Sequence, residues 1–370
     1  LMTKKKFMTL AYESAKLGQY STRPGVSVGC VIEKENKILS KGWYEKYGAS
    51  HAEINAINNL KRKYPKSYEE KLNQSSIYIS LEPCNTTGKT PPCVDELKKY
   101  NFKEIIIGHE DKSQQGAKEL KKFGFKVSHL KQKALDINQG FFKRINSNRP
   151  YIRAKIAMSK DGKTSFKNKR NKWITSTASR KDAQHYRAIS DLIITGSGTL
   201  MHDNPSLNVR NNKIINTKGF NQPHKAVLIN SSNDLTGMKF FQDKTKKIIF
   251  TTQRKKFDGL KKMSNTEICF LKGKGSKVDL KDLTSQLIKS NYQDILIEAG
   301  PNLLSSFIKA NLIDEFIIYI SPKMLSNTAD YFFNGANSMN PLLSNEYEKI
   351  ESTKIGVDKK IILRRKQKWD

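Results

Sequence analysis

The sequence predicts an α/β protein of two domains, and three observations carry that prediction. Short apolar runs of strand length alternate with amphipathic helical segments along the whole chain. At 370 residues the chain exceeds the usual size of one domain. A polar linker ending in proline, "NSNRP" at 146–150, interrupts the alternation, and no internal repeat relates its two sides. The expected domains are residues 1–147 and 150–370.

In the first part, residues 3–17 read as a helix stopped at Gly18. "VSVGCVIE" (26–33) and "KILSKGW" (37–43) read as a hairpin turning at "KENK". A helix runs from about His51 to Lys63, and "SSIYISLEP" (75–83) is a strand. "PPCVDELKKY" (91–100) opens a helix with proline, which the first turn tolerates. "EIIIGH" (104–109) and "FKVSHL" (125–130) are short apolar strands. The order β-β-α-β-α-β-α-β is that of a compact α/β sandwich. A last helix, 133–145, leads to the linker.

The second part restarts with the strand "YIRAKIAMS", the helix "TASRKDAQHYRAIS" and the strand "DLIITG". "KAVLIN", "KIIFTT" and "TEICFL" are further strands, followed by the helix "DLTSQLIKS". "DILIEAGP" is a strand, "NLLSSFIKANLI" a helix, and "DEFIIYISPK" and "KKIILRRK" close as strands. The Lys/Asn-rich stretches 211–223 and 325–348 read as loops.

Composition narrows the function. No run approaches the ~18 apolar residues of a membrane span. The N-terminal stretch lacks the apolar core of a signal peptide. Four cysteines in so long a chain do not make a disulfide framework. The expected location is the cytoplasm. The net charge of +32 raises nucleic acid as a partner. However, only twelve of the 67 basic residues are arginine, the residue that grips phosphates in a fork. Scattered lysines describe a basic surface that also welcomes small anionic substrates.

The chemistry begins at "SHAEINAI". His51 and Glu53 stand two apart at a helix start. An early glutamate alone suits the helix dipole. Downstream, "EPCNTTGKTPPC" places Cys84 after a strand and Cys93 in the first turn of a helix. One histidine and two thiolates form a three-ligand zinc set with a fourth position for water. A helix N-terminus favours the thiolate at Cys93. Zinc acidifies water towards a pKa of ~7, and Glu53 stands ready to carry the proton. A purely structural zinc would call for a fourth ligand, and no candidate stands nearby. Cys30 and Cys269 read as core. H-x-E with P-C…C is the zinc deaminase pattern, although nucleic-acid and nucleoside deaminases space the cysteines as P-C-x-x-C. Here eight residues intervene. The insert "NTTGKTPP" reads either as a phosphate cradle with Lys89 as counter-charge or as an ordinary turn.

The second part carries no G-x-G-x-x-G fingerprint. "TGSGT" (195–199) offers a lone G-x-G after an apolar strand. "EAGPNLLSSF" closes a strand and opens a helix whose N–H groups suit a pyrophosphate, or simply make a strand-to-helix turn.

"HAEINAI", "LEPCNTTGKTPPC" and "NQGFFKRI" resemble the deaminase half of the bifunctional riboflavin-biosynthesis deaminase/reductase family. "KIAMSKDGKT", "WITS", "TGSGTLMHDNPSLNVR" and "IEAGPNLLSSF" resemble its reductase half, in the family's order. The resemblance implies a cytidine-deaminase-like α/β/α sandwich followed by a dihydrofolate-reductase-like α/β domain. It implies zinc-dependent deamination of a phosphorylated diaminopyrimidine riboside, then NADPH-dependent reduction of its ribose to a ribityl chain. A homodimer or homotetramer is implied, with a small-molecule substrate, no nucleic acid and no membrane. Alternatives are a reductase whose deaminase half is weakened or retargeted, and a nucleic-acid-binding base deaminase.

By this resemblance His51, Cys84 and Cys93 are zinc ligands, Glu53 the proton shuttle and Lys89 a phosphate contact. Ala157, Trp173, Thr175, Thr199, Asp203, Gly300, Pro301, Asn302, Leu303, Leu304, Ser305 and Ser306 are cofactor-side. Lys155, Asn171, Arg187, Leu207, Arg210 and Glu298 are substrate-side, with Arg187 and Arg210 suited to a phosphate. His185, His202 and His224 read as packed or solvated. Three substrate-side positions depart from the family pattern. Gly25 replaces an asparagine, Tyr44 a histidine seven residues before His51, and Thr86 a histidine two residues after Cys84. Asn171 stands where serine is common.

Overall fold

The computed structural model describes residues 3–131, 137–164, 173–230, 235, 237–253, 265–275, 277–325, 329–335 and 339–366. They form two compact units, residues 1–139 with 216–221 and residues 140–215 with 222–370.

The first unit runs α1 (Lys4–Lys16), β1 (Gly29–Lys34), β2 (Lys37–Trp43), α2 (Ala52–Lys63), α3 (Tyr68–Leu72), β3 (Ser76–Leu81), α4 (Cys93–Leu97), β4 (Glu104–His109), α5 (Gly116–Phe123) and β5 (Val127–His129). Its sheet has the order β2-β1-β3-β4-β5. The β1–β2 turn is two residues, Glu35 and Asn36, both at positive φ, which matches the right-handed twist of a hairpin. The β1–β3 pair is antiparallel, and β3, β4 and β5 run parallel. Strand alternation then sorts the core. Cys30, Ile32, Ile77, Ile79, Ile105 and Ile107 face α2, α4 and α5. Val31, Tyr78 and Ile106 point the other way, onto Phe7, Met8, Ala11 and Ala15 of α1. Truncating one of these isoleucines to alanine costs about 2–5 kcal/mol.

The second unit continues with α6 (Gln139–Ser147), β6 (Tyr151–Ser159), α7 (Thr177–Ala188), β7 (Leu192–Gly196), α8 (Ser197–Asp203), α9 (Asn212–Ile215), β8 (His224–Leu228), β9 (Lys247–Thr251) and β10 (Thr266–Phe270). A small ribbon, β11 (Gly273–Lys274) with β12 (Lys277–Val278), precedes α10 (Leu280–Lys289), β13 (Asp294–Ile297), α11 (Pro301–Lys309), β14 (Glu315–Ser321), β15 (Tyr347–Ile355) and β16 (Asp358–Arg365). The main sheet has the order β10-β9-β8-β7-β13-β6-β14-β16-β15 and is parallel except at its last two strands. Ile152, Ala154, Ile156 and Ile295 pack against α10 and α11 on one face. Ile193, Val227, Leu296 and Ile317 pack towards Tyr186 of α7 and Leu200 of α8 on the other.

Several elements differ from the sequence expectation, among them α3, α8 and the β11–β12 ribbon, which it did not contain. The helix expected over 133–145 has its described start at Gln139, and residues 132–136 lie outside the described set. Asn138 sits at positive φ with its side chain tied to both backbone groups of Ser27 at 2.8 Å, so the helix begins after it. The helix expected over 91–100 is a short α4, with Pro92 as its N-cap. The segment read as a 211–223 loop contains α9. The sequence reading also missed β15. Its exposed, Lys/Glu-rich pattern has no apolar face, as befits a sheet edge. No helix among the described residues is long and apolar enough to cross a membrane.

Candidate active sites

The first site assembles where α2, β3 and α4 meet. His51 is the N-cap of α2, in extended conformation, and Glu53 lies in its first turn. Both therefore stand at one helix mouth. Gly42 of β2 brings that helix close, since a Cβ there would lie 2.2 Å from the Ala56 nitrogen. Cys84 follows the end of β3, and Cys93 is the first residue of α4. His51 Nδ1 lies 3.1 Å from Cys93 Sγ and 3.5 Å from Cys84 Sγ. The Cys93 backbone N–H donates to Cys84 Sγ at 3.3 Å.

The three side chains fit zinc. Their ligand atoms all lie within 4.8 Å of one another. Tetrahedral bonds of ~2.0–2.3 Å set ligand atoms roughly 3.5 Å apart. The donor set is nitrogen and sulfur, the zinc preference. With Nδ1 facing the thiols, Nε2 lies 3.4 Å from Thr90 Oγ1, the kind of outer partner that fixes a ligand ring. Glu53 is only 3% exposed, and burial pushes its carboxyl above the ordinary range. Cys84 is drawn down to about 4, first by its hydrogen bond with Cys93, and Cys93 is held high by the same bond. A dication favours the ionised form of both.

The rim is aromatic. The Tyr44 ring meets His51 edge-on, with centroids 5.2 Å apart, and its hydroxyl accepts from the Gly48 N–H at 2.6 Å. Lys89, in the exposed insert, holds its ammonium 4.2 Å from the Tyr47 ring centroid. Thr86 donates its hydroxyl to Gln114 Oε1 at 3.3 Å, and Asn85 is tied to the same oxygen through its N–H. Cys30 lies in the core, as expected.

The second site lies near the carboxyl ends of parallel strands, where open α/β sheets place ligands. Glu298 directly follows β13 and is buried. Its carboxylate accepts Arg187 Nε at 2.5 Å and Nη2 at 3.0 Å, and it meets Lys155 Nζ at 3.2 Å. Burial alone would raise the Glu298 pKa, but Arg187 and then Lys155 hold it well below the carboxylate range. Arg187 Nη1 donates to the Asn208 carbonyl at 2.9 Å. The expectation that Arg187 offers an open fork to a phosphate is thus modified. Three of its five N–H groups serve Glu298 and Asn208.

Of the cofactor-side residues, Thr199 and the 300–306 stretch fall in two adjoining strand-to-helix turns. The Gly300 N–H donates to Thr199 Oγ1 at 3.0 Å, which ties α11 to α8. A Cβ on Gly196 would meet Leu303 at 3.3 Å. Gly300 caps α11, Pro301 begins it, and Asn302 and Ser306, one turn apart, are exposed while Leu304 and Ser305 are buried. Trp173 is exposed with the Arg180 guanidinium 4.7 Å from its ring centroid, and Thr175 is buried. Ala157 pairs with Tyr319 across β6 and β14. Asp203 ends α8, and Arg210 has an exposed side chain. Leu207 is buried at positive φ. Asn171 lies outside the described residues. His224 packs against Tyr292, His185 on Tyr186, and His202 is exposed. The sequence reading passed over Thr90 and Lys225. A lysine opening an apolar strand was the available signal for the latter.

Fold and sites together define a zinc-type pyrimidine deaminase joined to a nucleotide-dependent reductase. Residues 2–109 match the cytidine and deoxycytidylate deaminase zinc-binding region, and residues 150–359 match the RibD C-terminal domain. The riboflavin biosynthesis protein RibD of Buchnera aphidicola is 39% identical, covering 96% of this chain and 97% of its own. The Escherichia coli RibD is 32% identical over 87% and 89%. The structure of Acinetobacter baumannii RibD, form 1, superposes with a TM-score of 0.85 at 31% identity, covering 98% of each chain. The chain belongs to the RibD family of riboflavin biosynthesis, whose members combine a zinc-binding deaminase domain with an NADPH-using reductase domain.

Proposed function

We propose that residues 1–147 deaminate diaminohydroxyphosphoribosylaminopyrimidine and that residues 150–370 reduce 5-amino-6-(5-phosphoribosylamino)uracil to its ribityl product. The observation that carries the reading is the His51–Cys84–Cys93 cluster beside buried Glu53, in a chain of this family. Zinc, when held by those three side chains, supplies Lewis acidity that makes water acidic near neutral pH. Glu53 takes a proton from the attacking water and returns it to the departing amino nitrogen, which leaves as ammonia. Its raised pKa suits a group that must hold a proton between the two steps. The Lys89 ammonium offers the substrate phosphate a counter-charge from the exposed insert.

In the reductase half, the Thr199 and Gly300 turns would hold NADPH, which supplies a hydride when bound. Lys155 and Glu298 face the sugar, with Lys155 giving the ring oxygen a proton as the ring opens. Arg187 holds Glu298 ionised beside it. Arg210, exposed on the neighbouring loop, is the freer cation for the sugar phosphate. The remaining substrate- and cofactor-side assignments follow the family resemblance, as do a homodimeric or homotetrameric assembly and a cytoplasmic location.

One assay tests this reading. Purified protein is incubated with the diaminopyrimidine phosphate and zinc, then with NADPH, and product masses are followed. The expected order is exchange of an amino group for oxygen, then gain of two hydrogens. No exchange on the diaminopyrimidine phosphate, with gain of two hydrogens when the ribosylaminouracil phosphate is supplied directly, would favour a second reading, a reductase with a retargeted deaminase half. That reading draws on Tyr44 packed over His51 and on Thr86 engaged with Gln114.

A further inference from the structure

Among the described residues, Lys225 and Lys247 are both completely buried. An ammonium out of water is costly unless its three N–H groups are satisfied. Lys225, at the start of β8, satisfies all three. It donates to the Ser206 carbonyl at 2.9 Å, to Asn208 Oδ1 at 2.9 Å and to the Asp243 carboxylate. Two of these acceptors flank Leu207, whose φ of +55° is a conformation that leucine rarely adopts. Such a residue stays there only when its surroundings over-determine it. Leu207 is itself 3% exposed. The residue gripped on its far side, Asn208, gives its backbone carbonyl to Arg187, which in turn binds Glu298.

We infer that Lys225 is a positioning residue of the reductase. Its ammonium clamps the 206–208 loop in the left-handed turn at Leu207 and so delivers the Asn208 carbonyl that orients Arg187 on Glu298. The inference rests on the reading of Lys155, Arg187 and Glu298 as the sugar-side site. Lys247 provides an internal contrast. It is equally buried and bonds the same Asp243, but not the loop. The Lys225 pKa is lowered by burial, in keeping with an ammonium held in a dry site.

The test uses the full chain with zinc and NADPH, comparing Lys225→Met, Lys225→Arg, Lys247→Met and Glu298→Gln. Misplacement of catalytic groups by about 1 Å costs on the order of 10²-fold in rate. Folded Lys225→Met is expected to lose ~10- to 100-fold in kcat/KM for the ribosylaminouracil phosphate, with the NADPH KM and the deamination rate unchanged. Lys225→Arg should recover part of the loss, and Lys247→Met should lower thermal stability without that kinetic signature. If Lys225→Met does not fold, Asn208→Ala removes one arm of the clamp at a half-buried loop and should show the same signature more weakly. Wild-type reduction in the folded Lys225→Met or Asn208→Ala protein, or an equal kinetic loss in Lys247→Met, overturns the inference. Glu298→Gln separates the two failures. If it abolishes reduction while Lys225→Met does not, only the clamp is wrong. If it leaves reduction intact, the site reading falls and the clamp with it.

Discussion

Gly25 lies against Tyr44: a Cβ built on the glycine would sit 3.5 Å from Tyr44 Cε1. The same Cβ would meet the Thr22 carbonyl oxygen at 2.9 Å and Tyr47 Cδ2 at 3.3 Å. The tyrosines occupy the space that a side chain at position 25 needs. Restoring the asparagine common in the family is therefore expected to harm this protein. Gly25→Asn should destabilise the deaminase unit by about 1–3 kcal/mol, the cost of overpacking, and should lower deamination. Urea unfolding with parallel deaminase kinetics checks this. A gain in kcat/KM at unchanged stability would show that the wall yields.

The zinc ligands are expected to be separable from the reductase. Cys84→Ser removes one of only three donors, so metal analysis should find the bound zinc lost and deamination with it. Reduction of the ribosylaminouracil phosphate should continue at its normal rate. Full zinc occupancy in the variant would displace Cys84 from the ligand set.

Glu53→Gln keeps the shape of the buried carboxyl but cannot carry a proton. Zinc content should be unchanged while deamination falls by at least ~10²-fold. Undiminished turnover would assign the proton transfer elsewhere.

These sites differ in how far the sequence discloses them. His51, Glu53, Cys84 and Cys93 were readable because each stands at the end of a short element, where local pattern fixes its place. Core strands such as Ile105–Ile107 were readable from their apolar runs. By contrast, β15 shows no apolar alternation because it is a sheet edge, and its partner register is set by β16. Lys225 looked like any strand lysine. Its importance comes from Ser206, Asn208 and Asp243, which lie 17–19 residues away in sequence. The Arg187–Glu298 pair spans 111 residues, so only the folded sheet brings it together.

That pair sets the last expectation. Glu298 is buried, and Arg187 with Lys155 holds its pKa below the ordinary carboxylate value. In the unfolded chain the same group titrates near ~4.3. A depressed native pKa stabilises the fold at pH values above the unfolded pKa, and this contribution is lost as pH falls towards the native one. Glu298→Gln leaves Arg187 without its counter-charge and should cost about 3 kcal/mol near neutral pH. The variant has no carboxylate at this position to protonate, so the wild-type advantage should hold steady from pH 7 to about 5 and narrow below about 4. Trp173 belongs to the second unit. Fluorescence-monitored urea unfolding in a background carrying Trp43→Phe and Trp369→Phe leaves Trp173 as the reporter and follows that unit. A stability difference between the parent and its Glu298→Gln variant that stays constant down to a pH of about 3 would show that the carboxylate is not held ionised by Arg187 and Lys155.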